Sequence, residues 1–82
     1  LVDNLTKRLN RISGQINGVN KMISDNRYCN DILIQISAIE KALKEVGFMI
    51  LQNHMHTCVA DDIKNNDFSS IDESLDIFKK LS

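Results

Sequence analysis

Proline and tryptophan are absent, and glycine occurs only three times, at Gly14, Gly18 and Gly47. Without proline nothing forces a helix to stop, and so little glycine leaves few of the tight turns that a meandering sheet needs. No apolar run reaches the ~18 residues that span a membrane, and no stretch has the layout of a secretion signal. A cytoplasmic protein with no membrane partner is expected. The chain opens on Leu1 where a start codon would give Met, so a short preceding segment is expected too. The two cysteines, Cys29 and Cys58, are too few for a disulfide scaffold; in a chain without a secretory signal they point to metal binding or redox chemistry. No cluster of general acids and bases and no glycine-rich phosphate loop is present, which argues against an enzyme.

Apolar side chains, by contrast, are plentiful. They make up 43% of only 82 residues, carried by Ile, Leu, Val, Ala and Met, with four aromatics (Tyr28, Phe48, Phe68, Phe78). A domain of this size buries about 60% of its unfolded surface. Residues 1–82 are therefore read as one small domain that hides its surplus by associating with itself. The formal charge of −1 conceals a polarity. Lys7, Arg8, Arg11 and Lys21 face one carboxylate, Asp3, in the first 24 residues, whereas Asp61, Asp62, Asp67, Asp72, Glu73 and Asp76 surround Lys64 near the end.

Spacing predicts an all-α fold of three helices with a long central one. Leu1, Leu5, Leu9, Ile12, Ile16, Val19 and Ile23 recur at three and four residues, giving an amphipathic helix that starts at Asp3 or Asn4 and ends near Asp25-Asn26. Their arc spans about 80° of the helix, and Lys7, Arg8, Arg11 and Gln15 are expected together on the other side. A second pattern runs from Tyr28-Cys29 to about Asn65 through Ile32, Leu33, Ile36, Ile39, Leu43, Val46, Ile50, Met55, Val59 and Ile63. Additional apolar residues nearly encircle its middle, and Gly47 is a candidate kink. A rod of roughly 50 Å, apolar on more than one side, calls for a partner, and an antiparallel dimer is expected. The third helix is short. Ser70 to Glu73 reads as a capping box, with Ile71, Leu75 and Phe78 as the apolar side and Lys79-Lys80 near the C-terminal dipole.

The chemistry lies on the long helix. His54 and Cys58 are four apart and share a face, a two-point chelate. Cys29 is about 40 Å from Cys58 along a straight helix, so the two cannot meet in one chain. Two antiparallel rods crossing near Ala42, with Ala38 and Ala42 small enough for close approach, would bring Cys29 of one copy to His54 and Cys58 of the other. Two thiolates and an imidazole form a soft three-coordinate set suited to Cu(I); Zn(II) normally takes a fourth ligand and Ni(II) prefers harder donors. Placement of Cys29 at a helix start favours its thiolate. His56 lies about 200° from His54 around the helix and reads as a surface histidine, and Met55 as packing.

Arg8 through Gln15 (RLNRISGQ) with Gly18, Arg27 through Ala38 (RYCNDILIQISA) and His54 through Val59 (HMHTCV) together resemble the copper-sensitive operon repressor (CsoR) family over nearly the whole chain. The Cys29, His54, Cys58 set is that of the copper-sensing branch; persulfide sensors of the superfamily keep both cysteines but lose the histidine. The resemblance implies a homotetramer built as a dimer of dimers, which holds operator double-stranded DNA when metal-free and leaves it when Cu(I) binds, derepressing copper-resistance genes. It further implies that a Tyr and a Glu hydrogen-bond with the ligand histidine. Tyr28 matches the first. Glu73 matches the second if the loop near Asn65–Ser69 is one residue shorter than usual, so Glu73 stands as either helix cap or histidine partner. The family lacks a helix-turn-helix. Phosphates would be met by Lys7, Arg8 and Arg11, helped by Gln15 and by Lys41 and Lys44. The GxxxG spacing of Gly14 and Gly18 suggests close approach of DNA or a neighbouring helix. Two rival readings remain: a thiol- or persulfide-sensing repressor, and a helical interaction module that does not bind DNA.

Overall fold

The computed structural model describes all 82 residues, Leu1–Ser82. Only helices form: α1 (Val2–Ser24), α2 (Cys29–His54), one π-helical turn (Met55–Val59), α3 (Ala60–Lys64) and α4 (Ser69–Leu81). The π turn joins α2 to α3 without a break, because His54 and Ala60 on its flanks both keep right-handed helical angles. Three helical segments result, the middle one reaching from Cys29 to Lys64, as the apolar spacing predicts. No helix is long and apolar enough to cross a membrane.

Helix ends show where local chemistry decided matters. α1 begins earlier than Asp3 or Asn4: Leu1 is the N-cap, without a side-chain cap bond, and Asp3 sits inside the first turn, where its charge favours the helix dipole. Asn26 (φ 53°) and Asn66 (φ 60°) close α1 and α3 in the left-handed region, which Asn tolerates better than most side chains. Asn26 N–H donates to Ile23 O at 3.2 Å and Arg27 N–H to Met22 O at 3.0 Å. The same pair recurs as Asn66 to Ile63 at 3.0 Å and Asp67 to Asp62 at 2.8 Å, satisfying carbonyls that a helix end leaves open.

The expected capping box does not form. α4 starts at Ser69 with no side-chain cap at its N-cap, Phe68, and Ser70 is buried. Asp67 anchors this end instead: its Oδ1 accepts from Ser69 Oγ–H at 2.7 Å and from Ser69 N–H at 3.1 Å. These bonds, the hydroxyl's first, hold the Asp67 carboxyl below its ordinary range. Glu73 is exposed and free of the capping role.

Packing divides the chain into two compact units, Leu1–Val46 and Gly47–Ser82. In the first, Ile12 (5% exposed) and Val46 are buried. The half-buried positions of α1 are Leu5, Arg8, Gln15, Val19 and Met22, and those of α2 are Ile32, Ile39 and Ala42. The inward face of α1 is thus rotated away from its apolar arc. Leu9, Ile16 and Ile23 stay exposed, while Arg8 and Gln15 turn inward, so the basic residues are not one solvated face opposite the core. Ala42 also turns inward, and is unavailable as the small residue of an outward helix crossing.

In the second unit Leu51, Val59 (2% exposed), Ser70 and Ser74 are buried, and α4 packs on the π turn. Phe48 and Phe78 pack with their rings tilted by 42° and 5.6 Å between centroids. A Cβ on Gly47 would lie 2.9 Å from Leu81 Cδ2. α2 runs through Gly47 as α-helix, and the missing side chain there makes room for Leu81; the change of helix type falls at Met55–Val59. The side of α4 turned inward carries the small Ser70 and Ser74, with Ile71 half-buried. Leu75 and Phe78, read from the sequence as part of its apolar side, are exposed, as is Ile77.

Candidate metal centre and DNA-facing surface

Cys29 is the first residue of α2. The thiol is free and exposed. Tyr28, just ahead of it, is exposed, and its hydroxyl accepts a bond from Asn30 Nδ2 at 3.2 Å. These three residues belong to the first unit.

His54 and Cys58 belong to the second. His54 is the last residue of α2, and Cys58 lies in the π turn that follows. Both are exposed, and Cys58 is a free thiol. A π turn spends one extra residue per turn, and such turns recur at functional sites. Here it widens the helix over the segment that carries Cys58, directly after His54, while its buried Val59 and the packing of α4 fix its place. Thr57, which sequence reasoning passed over, contributes too. Its hydroxyl donates to Asn53 O at 2.9 Å and lies 3.7 Å from Cys58 Sγ. A threonine bonded back to the carbonyl four residues earlier bends a helix locally, so its place beside Cys58 was a signal available in the sequence.

Within one chain, no three His, Cys, Asp or Glu side chains gather into a group able to hold a metal ion. The donor chemistry nonetheless fits a soft ion: two free thiols and one imidazole, all at the surface and none tied up in a disulfide. His56 is exposed and borders an apolar cleft with Phe48, Leu51, Met55 and Phe78.

On the basic side, Lys7, Arg11, Lys41 and Lys44 are exposed. Arg8 and Gln15 instead share a cleft with Arg11, Ile12 and Ala42. The helical projection carried this information, because Arg8 lies only about 20° from Val19 at 100° per residue. Gly14 and Gly18 have nothing within 4 Å of where a Cβ would stand, so within the protomer neither glycine serves a close approach.

An all-helical chain with a histidine and a free cysteine four residues apart at a π turn, and basic side chains along its first helix, has the make-up of a metal-regulated DNA-binding protein. Comparison with known proteins agrees. The family described as metal-sensitive transcriptional repressor matches residues 2–80, and the chain belongs to that family. The chain is 49% identical over 81 residues to the copper-sensing transcriptional repressor CsoR of Bacillus subtilis, covering 98% of this chain and 80% of that protein. Among solved structures it resembles the copper-sensing repressor CsoR with Cu(I) from Geobacillus thermodenitrificans, with a TM-score of 0.87 and 48% identity over 98% of this chain and 84% of that one. It also resembles the nickel-responsive regulator InrS, with a TM-score of 0.83 and 31% identity over 100% of this chain and 93% of that one. The fold therefore serves more than one metal, and the choice among metals rests on the donors.

Proposed function

We propose that this protein is a Cu(I)-responsive transcriptional repressor, in which the two compact units work as one domain and the metal site is shared between two copies of the chain. The observation that carries the reading is the donor set: Cys58 on a π turn beside His54, with the third donor, Cys29, at the far end of the same helix. Cys29 of one copy and the His54–Cys58 pair of another complete a soft three-coordinate site; bound Cu(I) supplies a centre that draws the donors of two chains together.

Association through α2 is supported by its exposed apolar residues. Ile36, Leu43 (51% exposed) and Ile50 follow Cys29 at steps of seven residues, the repeat that lets one helix lie along another. Antiparallel pairing along this stripe places the start of one α2 beside the end of its partner. The outward Leu9, Ile16 and Ile23 of α1 and Leu75 and Ile77 of α4 remain to be covered, which suits a dimer of dimers. The crossing then centres on Leu43 and not on inward-turned Ala42.

In the metal-free state Lys7, Arg8, Arg11, Lys41 and Lys44 hold operator DNA chiefly through phosphates, and Gln15 supports them from the cleft it shares with Arg8. Each neutralised phosphate releases counterions and steepens the salt dependence. When the site fills, Tyr28 and Glu73 bond the remaining nitrogen of His54 and fix the ring, which ties the site to the positions of α2 and α4. Such bonds to a ligand typically change affinity or activity by about 10–100-fold when removed. The tightened assembly then no longer presents its basic side chains at the spacing of the duplex. By linkage, DNA weakens copper binding by the factor that copper weakens DNA binding.

Cu(I) titration of the reduced protein, followed by X-ray absorption and by release of a bound duplex, tests this. Two sulfurs and one nitrogen with concurrent release are expected. Because both thiols are exposed, a parallel titration with polysulfide belongs to the test: release by polysulfide and not by Cu(I) would transfer the reading to persulfide sensing.

A further inference from the structure

We propose that Gln15 is a positioning residue for Arg8 and meets no phosphate itself, and that Ala42 keeps open the cleft in which the two side chains meet. The proposal rests on the DNA-binding reading above and assigns the task of one surface within it.

Arg8 and Gln15 are seven residues apart on α1, two turns along one face, and both border the cleft whose α2 side is Ala42. Arg8 Nε and Gln15 Oε1 are each buried and without a hydrogen-bond partner. One is a donor with a single hydrogen and the other an acceptor. A buried group left unpaired is costly, and two complementary ones in a single cleft relieve each other, directly after a small side-chain rotation or through one bridging water. No other side chain bordering the cleft offers an acceptor: Arg11 only donates, and Ile12 and Ala42 are apolar.

The consequence concerns the outer edge of Arg8. Of its three guanidinium nitrogens only Nε is among the buried unpartnered atoms. With Nε–H turned to Gln15, the two terminal amino groups form a fork held at one orientation before any DNA arrives. A planar guanidinium held in this way loses less freedom on meeting a phosphate than a solvated side chain does. Lys7, Lys41 and Lys44, exposed throughout, attract phosphates as mobile point charges. Arg8 alone is built as a fixed fork. Ala42 matters because a larger side chain there fills the space that the Arg8 and Gln15 side chains share.

Affinity for a duplex selected by the protein from a random-sequence pool, measured across salt concentrations, separates the roles. Arg8→Ala should reduce the slope of log affinity against log salt by about one, the signature of a lost phosphate contact. Gln15→Met should weaken binding by about tenfold with the slope kept, Ala42→Leu should do likewise, and Gln15→Met added to Arg8→Ala should cost nothing more. A second readout needs no DNA: the Nε–Hε NMR signal of Arg8 should exchange slowly in the wild type and rapidly in Gln15→Met. A lower salt slope in Gln15→Met, a full additional loss on top of Arg8→Ala, or an Arg8 signal unchanged by Gln15→Met would overturn the proposal. Failure of the wild type to select any duplex would instead defeat the DNA-binding reading, and the NMR signal would still decide whether Gln15 orders Arg8.

Discussion

At the scale of single residues, the anchoring of α4 depends on one carboxylate that carries no catalytic or ligand role. Asp67 accepts two bonds from Ser69, and its pKa is lowered by them. A carboxyl more acidic in the folded chain than in the unfolded one stabilises the fold above its unfolded pKa, and that contribution disappears as pH falls through the lowered folded value. Asp67→Asn should therefore lower thermal stability at neutral pH and lose less on acidification below about pH 4 than the wild type does, as followed by helical circular dichroism. Equal acid sensitivity of the two would show that the Ser69 bonds contribute nothing. The candidate donors were legible in the sequence, because the four-residue spacing of His54 and Cys58 needs no tertiary information. Asp67 was not. Ser70 and Glu73 match the pattern of a capping box, yet the N-cap falls two residues earlier, at Phe68, with Ser70 buried and Asp67 bonded to Ser69.

At the scale of elements, the three helical segments were readable from periodicity, whereas the identity of each buried face was not. Repeating apolar residues mark a stripe to be covered without saying which molecule covers it. α1 and α4 both turn inward a stripe different from their most apolar one, admitting Arg8, Gln15, Ser70 and Ser74 while leaving Leu9, Ile16, Leu75 and Phe78 exposed. The π turn was nearly as hidden, since among residues 55–59 only Thr57, which can bend a helix by bonding back to Asn53, hints at it. Two substitutions test this level. Val59→Ala removes a buried side chain beneath the π turn and should cost roughly 2 kcal/mol, with loss of Cu(I) affinity exceeding loss of DNA affinity. Gly47→Ala should raise stability by up to about 1 kcal/mol, because the gain in helix propensity outweighs displacement of a flexible Leu81 end. A destabilised Gly47→Ala variant in thermal melts would mean that Leu81 cannot move aside and that the end of α4 is firmly seated on α2.

At the scale of the whole molecule, the apolar surplus seen in the composition persists in the folded chain: Ile36, Leu43 and Ile50 remain outward along α2. Leu43→Asp should place a charge at the middle of the pairing stripe, shift sedimentation to monomer, and abolish high-affinity Cu(I) binding although every ligand is intact; a monomeric variant that still bound Cu(I) with wild-type affinity would refute site sharing. The most direct test is complementation between chains. A Cys29→Ser protein and a His54→Ala/Cys58→Ser protein, each lacking high-affinity Cu(I) binding alone, are unfolded together and refolded as a mixture. The expected result is one restored tight Cu(I) site in each mixed pair, built from Cys29 of one chain and His54 and Cys58 of the other. A mixture that binds no more Cu(I) than its separate parents, while mass spectrometry confirms that mixed pairs have formed, would contradict a metal held between two copies.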